Sequence, residues 1–271
     1  MATSGGGRGA AVITGASGGI GEELAKLFAA DGYDLVLVAR SREGLDRVGE
    51  ALSAKHGVRS LSLPADLADP AAPEAVHRAV RDTGWTVSAL VNNAGFGLHG
   101  AFVGTDGHPA NDLRRELDMI QVNVTALTHL TKLFAPEMVE RKHGRILQVA
   151  STAAFQPGPY MAVYYASKAY VLSFGEALSM ELKGTGVTVT TLCPGPTHTE
   201  FQKQARMEGS RLFRSPAVMD AAIVARIGYR AMLRGKPVVV SGALNRLMAG
   251  GTRFIPRRLA GKIAAMAHAD A

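Results

Sequence analysis

Seven short apolar runs punctuate the chain, at residues 10–14 (AAVIT), 34–39 (DLVLVA), 59–64, 88–91, 145–150 (RILQVA), 188–193 and 237–240. Runs this short, without polar alternation, are strands buried on both faces of a sheet. Between them lie stretches with apolar residues at helical spacing, at 22–30, 41–56, 70–84, 112–139, 160–182 and 216–234. Leu24, Leu27 and Phe28 share one side of the first, and Ala75, Val76, Ala79 and Val80 are expected to face inward in the third. Strands alternating with helices predict an α/β fold, a single-domain Rossmann-type doubly wound parallel sheet of about seven strands with helices on both faces. Such a sheet binds its ligand at the carboxyl ends of the strands. These elements span residues 10–243, leaving a flexible glycine-rich leader at 1–9 and an extension at 244–271.

The connections carry the chemistry. The first strand runs into Gly15-Ala16-Ser17-Gly18-Gly19-Ile20-Gly21 and then a helix. Glycines there let the backbone turn sharply and approach a pyrophosphate, whose charge is met by free N–H groups at the helix start. An ordinary glycine-rich turn uses the same residues; its place directly after the first strand points to a dinucleotide. The second strand ends at Arg40, followed by Ser41 and Arg42, where an acid would hold the ribose 2′-hydroxyl of NAD. A guanidinium pairs instead with a 2′-phosphate, so NADP(H) is the expected cofactor. Asp34 sits at the wrong end of that strand to favour NAD.

Asp66 and Leu67 follow the third strand at the edge where the adenine would lie, and Asn92-Asn93-Ala94-Gly95 follows the fourth beside the glycine turn. Asn123 lies inside a long helical stretch, where asparagine needs a local reason or a solvent-facing place. The fifth strand delivers Ser151 to the same edge, and the sixth ends in Pro194-Gly195-Pro196-Thr197-His198-Thr199, a rigid turn with hydroxyls. In the next helix Tyr164 and Lys168 are four residues apart, which stacks them on one face. An ammonium beside a phenol favours the phenolate, so this pairing predicts a Tyr164 pKa below the usual value of roughly 10. Tyr165 points about 100° away around that helix and is read as packing, whereas Tyr160, one turn earlier, is placed to line a pocket.

Composition narrows the picture. At 271 residues and 47% hydrophobic the chain can bury one large core. The single cysteine, Cys193, excludes an internal disulfide, and no Cys/His cluster suggests zinc or another metal. No run of eighteen or more apolar residues occurs and residues 1–9 lack a signal-peptide core, so a soluble, cytoplasmic protein in a reducing compartment is expected. The net charge of +7 suits nucleic acid, an anionic membrane or a phosphorylated cofactor, but no nucleic-acid motif accompanies it and no nucleic-acid partner is expected.

Taken together, Thr14 to Gly21, Asn92 to Gly95, Asn123, Ser151, Tyr164, Lys168 and the Pro194-Gly195 turn resemble the motifs of the short-chain dehydrogenase/reductase family, in the family's order, from about residue 10 to residue 240. The resemblance implies that Tyr164 exchanges a proton with the substrate oxygen, that Ser151 hydrogen-bonds that oxygen, and that Lys168 holds the nicotinamide ribose and lowers the Tyr164 pKa. It implies that Asn123 positions a water linking Lys168 to solvent, that Pro194 and Gly195 turn over the nicotinamide, and that a homo-oligomer forms. The cofactor set it implies is Gly15, Ser17, Gly18, Gly19, Ile20, Gly21, Arg40, Ser41, Asp66, Leu67, Asn93, Ala94, Gly95, Tyr164, Lys168, Pro194, Gly195, Thr197 and Thr199. One departure is Ser17-Gly18, where some NADP-dependent members carry a basic residue, so the NADP expectation rests on Arg40 with Ser41 and Arg42.

Specificity is expected from the segments least like the family, including a substrate loop near 196–215. Ala153, Phe155, Tyr160, Phe201, Met207 and Phe213 suggest an apolar pocket beside Ser151 and Tyr164 and a hydrophobic carbonyl or alcohol substrate. In the extension, Ile255, Leu259, Ile263 and Met266 recur at helical spacing near Arg257, Arg258 and Lys262. A lid or subunit contact is the plain account; a basic amphipathic helix on an anionic membrane is the other. Two functions fit, an NADP(H)-dependent carbonyl reductase and a catalytically idle NADP-binding sensor or scaffold.

Overall fold

A computed structural model describes residues 7–104, 110–199 and 216–268. Strands β1 (Ala10–Thr14), β2 (Asp34–Ala39), β3 (Ser60–Pro64), β4 (Val87–Asn92), β5 (Gly144–Val149), β6 (Val187–Cys193) and β9 (Val238–Val240) form one sheet in the order β3-β2-β1-β4-β5-β6-β9. Every pairing within it is parallel. The order reverses between β1 and β4, and this switch opens a crevice at the carboxyl ends. The doubly wound fold and the seven strands agree with the hydrophobic pattern.

Helices α1 (Gly19–Ala30), α2 (Arg42–His56) and α7 (Ala221–Leu233) cover one face, burying Leu24, Phe28, Leu45, Val48, Val224 and Met232 against β1, β2 and β4. Phe28 meets the rings of Tyr33 and Tyr229 edge-on at 5.1 and 4.8 Å, which locks α1 to α7. On the other face α3 (Ala72–Asp82) and α5 (Leu127–Glu140) bury Val76, Val80, Leu130, Phe134 and Met138, and α6 (Ala162–Glu181) packs beside them. Ala75, expected inward, is exposed, because the buried stripe of α3 runs through Ala72, Val76 and Val80 and Ala75 lies about 100° from Val76 around the helix.

Three further differences have local causes. The long helix at 112–139 is divided: α4 (Leu113–Ile120) and α5 are joined by a π-helical turn, Gln121–Ala126, around Asn123. Helix α6 opens at Ala162, so Tyr160 precedes it with a φ of +63° and is not one turn earlier on the same helix. Helix α7 opens at Ala221 because β7 (Thr197–His198) pairs in parallel with β8 (Met219–Asp220), and Asp220 then caps the helix by accepting from the Ala222 N–H at 2.8 Å.

After β9 the chain forms α8 (Ala243–Gly251), a 3₁₀ turn (Thr252–Phe254) and α9 (Arg257–His268). Asn245, Ala249, Ala260 and Ala264 face the body, whereas Leu259, Ile263 and Met266 face outward and Ile255 is half-buried. Among the described residues no helix is long and apolar enough to cross a membrane.

Candidate active site

The glycine turn is welded to the turn after β4. Thr14 Oγ1 accepts the N–H groups of Asn93 and Ala94 at 3.0 and 2.9 Å, and Asn93 Nδ2 donates to the Thr14 and Gly15 carbonyls at 2.9 and 3.2 Å. Gly15 has a φ of +65°, and a Cβ there would lie 2.7 Å from Asn93 Nδ2. A Cβ on Gly21 would strike the Gly15 carbonyl oxygen. Gly18, in extended conformation, precedes α1 with no side-chain cap and open space around it, so the N-cap residue supplies no side chain to the first N–H groups of the helix, and Ile20 lies in this first turn. A cradle that side chains would fill, ending on an uncapped helix start, fits the diphosphate of a dinucleotide. Thr199 sits against Gly19, its Cγ2 3.1 Å from where a Cβ would be.

At the end of β2, Arg40 is exposed and Ser41 caps α2, accepting from the Gly44 N–H at 3.0 Å. Asp34, at the far end of β2, is buried and paired with Arg59, whose guanidinium lies 4.5 Å from the centre of the Trp85 ring. Asp66 is exposed, its carboxylate accepting from the Ala68 N–H at 3.0 Å, while Leu67 buries its side chain in the core and leaves its backbone at the edge. Arg47, which no pattern in the sequence singles out, reaches back from α2 to donate to the Ser17 carbonyl at 3.2 Å and to Glu22 at 2.7 Å. This guanidinium holds the Glu22 carboxyl below its ordinary pKa.

Asn123, Ser151, Tyr164 and Lys168 meet at the other half of the crevice. A Cβ on Gly95 would lie 2.9 Å from Asn123 Oδ1 and 3.2 Å from Lys168 Nζ, so the missing side chain lets both approach the turn after β4. Asn123 is buried: Oδ1 accepts from the Phe96 N–H at 3.1 Å, and Nδ2 donates to the Phe96 carbonyl at 2.9 Å and to Ser167 Oγ at 3.1 Å. The solvent-facing alternative is thereby excluded, and the π turn around Asn123 is a local irregularity of the kind found at functional sites. Lys168 Nζ donates to the Val149 carbonyl at 3.0 Å. Ser151 accepts from the Ala153 N–H at 3.1 Å and is hydrogen-bonded to the Tyr164 hydroxyl.

The electrostatics of these buried groups differ from the expectation of a lowered phenol pKa. Burial pushes Tyr164 up to about 12, opposed in part by the Ser151 hydrogen bond. Burial pushes Lys168 down to about 8, and Cys193 behind it up to about 12. The four-residue spacing does bring Lys168 near Tyr164, but over the ring, with Nζ 5.9 Å from its centre. Desolvation of the phenol outweighs the hydrogen bond from Ser151.

The turn after β6 closes the site. Pro194 accepts from the Thr152 N–H at 2.8 Å, tying this turn to the residue after Ser151, and Thr197 Oγ1 donates to the Gly195 carbonyl at 2.9 Å. Of the residues expected to contact substrate, Ala153 packs with Leu98, Met119, Met161, Tyr164 and Tyr165, an apolar wall whose first three members the sequence did not single out. Tyr165 is buried against Gly158, as packing requires. Phe155 is half-buried against the cluster of Leu127, Ala150 and Val171, and Tyr160 lies beside the His99 ring at 6.2 Å while its carbonyl accepts from the Gly100 N–H. Phe201, Met207 and Phe213 lie outside the described residues. Among the described residues no cluster of metal-ligating side chains occurs. This half of the crevice can hold a polar oxygen at Ser151 and Tyr164 against an apolar wall, next to a neutral phenol able to give up a proton.

The sequence model of the short chain dehydrogenases matches residues 9–209. The ketoacyl reductase HetN of Nostoc sp. is 34% identical over 185 residues, 68% of this chain and 62% of that protein, so the chain spans less than two thirds of that relative. The very-long-chain 3-oxoacyl-CoA reductase of Anas platyrhynchos is 32% identical over 228 residues, 83% of this chain and 70% of that one. Among solved structures, a short-chain dehydrogenase from Sphingobium yanoikuyae in complex with NADPH has a TM-score of 0.78 at 33% identity, covering 90% of this chain and 93% of that one. A short chain dehydrogenase/reductase from Burkholderia phymatum in complex with NAD has a TM-score of 0.77 at 26% identity, covering 90% and 94%. With its doubly wound sheet, its glycine cradle and a match over residues 9–209, the chain belongs to the short chain dehydrogenase family of oxidoreductases.

Proposed function

We propose that the protein is an NADP(H)-dependent oxidoreductase that interconverts a carbonyl and a secondary alcohol on a hydrophobic, acyl-like substrate. The observation that carries this reading is the Ser151–Tyr164 hydrogen bond, set in the crevice with Asn123 and Lys168 at Gly95. A bound nicotinamide supplies or takes up the hydride. Tyr164, neutral well above pH 7, donates its proton to the carbonyl oxygen during reduction, and Ser151 holds that oxygen by a hydrogen bond. Asn123, pinned on both sides of Phe96, keeps the turn after β4 in place beside Lys168. Lys168 would hold the ribose of the cofactor and return a proton to Tyr164, regaining its own from solvent.

Arg40, exposed at the end of β2 with Ser41 beside it, supports NADP(H), as does the NADPH bound by the Sphingobium relative. The apolar wall of Leu98, Met119 and Met161, and the acyl substrates named for the Nostoc and duck relatives, support an acyl-like carbonyl. A homo-oligomer is supported by Leu113, Leu117 and Ile120, which expose an apolar stripe on α4. We place the protein in the cytoplasm on the strength of its single buried cysteine.

The deciding experiment follows NADPH consumption against a panel of long-chain ketones and aldehydes, for the wild type and Tyr164→Phe. Turnover by the wild type and a loss of about 10²- to 10⁴-fold in the variant is expected, with NADPH binding retained. Tight NADPH binding with no turnover on any member of the panel would instead identify an idle sensor or scaffold.

A further inference from the structure

The extension turns its large apolar residues away from the body. Phe254 is 88% exposed, Leu247 73% and Met266 63%, with Leu244, Met248, Leu259 and Ile263 also exposed. This arrangement is not the result of a detached segment. Asn245 is buried against Gly195 and donates to the Ala217 carbonyl at 3.1 Å, α8 touches the 3₁₀ turn after Ser151, and Gly261 packs on Pro157. The helices are anchored by small residues, and the apolar face is what remains outside.

The charge on this face has one sign. Arg246, Arg253, Arg257, Arg258 and Lys262 are all exposed, and no Asp or Glu occurs between Ser241 and His268. None of the five has an ion-pair partner among the described residues. On α9 the positions divide: Leu259, Ile263 and Met266 form one stripe at i, i+4 and i+7, and Arg258 and Lys262 form the stripe beside it. Phe254 projects at the bend between α8 and α9, next to Arg253. A second copy docked through this patch about a two-fold axis would set its cations against the same cations, with no acid within the segment itself to relieve them. The occupant must therefore be both apolar and anionic.

We propose that the α8–α9 face docks on an anionic lipid bilayer, with Leu247, Phe254, Leu259, Ile263 and Met266 entering the acyl boundary and the five cations at the headgroups. The test is co-sedimentation of the full chain with phosphatidylcholine vesicles with and without phosphatidylserine, in the absence of cofactor and ketone. The wild type is expected to bind the anionic vesicles and to leave the neutral ones. The triple variant Arg257→Ser, Arg258→Ser, Lys262→Ser should weaken partitioning about a hundredfold, and Leu247→Ser, Phe254→Ser, Leu259→Ser should abolish it. Both variants alter exposed side chains, and unchanged thermal melting establishes that they fold. Equal recovery of wild type and variants with anionic vesicles overturns the proposal. A wild-type mass that halves in the apolar variant, with no vesicle binding by either, overturns it in favour of a second copy. Because binding is read without turnover, its failure leaves the oxidoreductase reading intact, and an inactive but vesicle-bound wild type would reject that reading alone.

Discussion

Lys168 approaches Tyr164 over the ring, its ammonium 5.9 Å from the ring centre and hydrogen-bonded to the Val149 carbonyl. The two groups share a buried setting that opposes charge on either. Burial moves Lys168 from an ordinary 10.5 to about 8 and Tyr164 from 10.0 to about 12. Between about pH 8 and 10.5 the unfolded chain therefore holds a lysine proton that the folded chain has lost, so this group adds stability as pH rises through that window. Below pH 8 both states are protonated and the full cost of burying the ammonium is felt. Relative to wild type, Lys168→Met should be most favoured in Tm below pH 8, with the advantage shrinking steadily toward pH 10.5. Melts of both proteins across that range check it; a difference in Tm independent of pH would show that the ammonium is not desolvated as the burial of Lys168 requires.

Cofactor choice is expected to follow the end of β2. Replacing Arg40 by Asp removes a guanidinium suited to a 2′-phosphate and puts a repelling carboxylate in its place. A charge-assisted hydrogen bond is worth about 1.5–3 kcal/mol, so the ratio of kcat/KM for NADPH over NADH should fall about 10- to 150-fold. Arg47 acts differently, since its hydrogen bonds run to Ser17 and Glu22 within the protein. Arg47→Ala should raise KM for both cofactors alike, by loosening the turn, and leave their ratio unchanged. Steady-state kinetics with the two cofactors separate the effects.

Asn123 is a structural keystone whatever its part in proton transfer. Its side chain makes three hydrogen bonds, two to the backbone of Phe96 and one to Ser167. Asn123→Ala leaves these groups unmatched and should cost about 2–4 kcal/mol of unfolding free energy in urea titration. Asn123→Asp should cost at least as much, because a carboxylate can accept from the Phe96 N–H but cannot donate to the Phe96 carbonyl.

The strands, the alternation and the meeting of Ser151, Tyr164 and Lys168 were legible because each rests on a local signal. An unbroken apolar run reads as a buried strand, and a four-residue spacing fixes a shared helix face. What was not legible depends on packing between distant segments. The direction of the Tyr164 shift is set by how completely the fold dries the phenol, which no spacing reports. The hydroxyl of Thr14 organises the turn at Asn93 from 79 residues away, and its polar place at the end of an apolar strand was the one available hint. Arg47 gives no such hint, because its partner Glu22 lies 25 residues earlier on another helix. The small inner face of the extension, Asn245, Ala249, Ala260 and Ala264, is equally silent, since alanines at helical spacing do not announce which side is buried.

Asn245 and Gly195 supply the sharpest test of how the extension reaches the site. The side chain of Asn245 occupies the space into which a Gly195 Cβ would project, and it holds the Ala217 carbonyl at 3.1 Å. Gly195→Ala forces the two together and should destabilise by about 1–3 kcal/mol, the usual cost of overpacking. Asn245→Ala alone loses one hydrogen bond, about 1 kcal/mol. In the double variant the new methyl enters the space that the shortened side chain vacates, so the combined loss should fall short of the sum by about 1 kcal/mol or more. Urea unfolding of the four proteins measures this coupling. Additive losses would mean that Gly195 is required for its backbone alone, and that α8 does not press on the turn after β6.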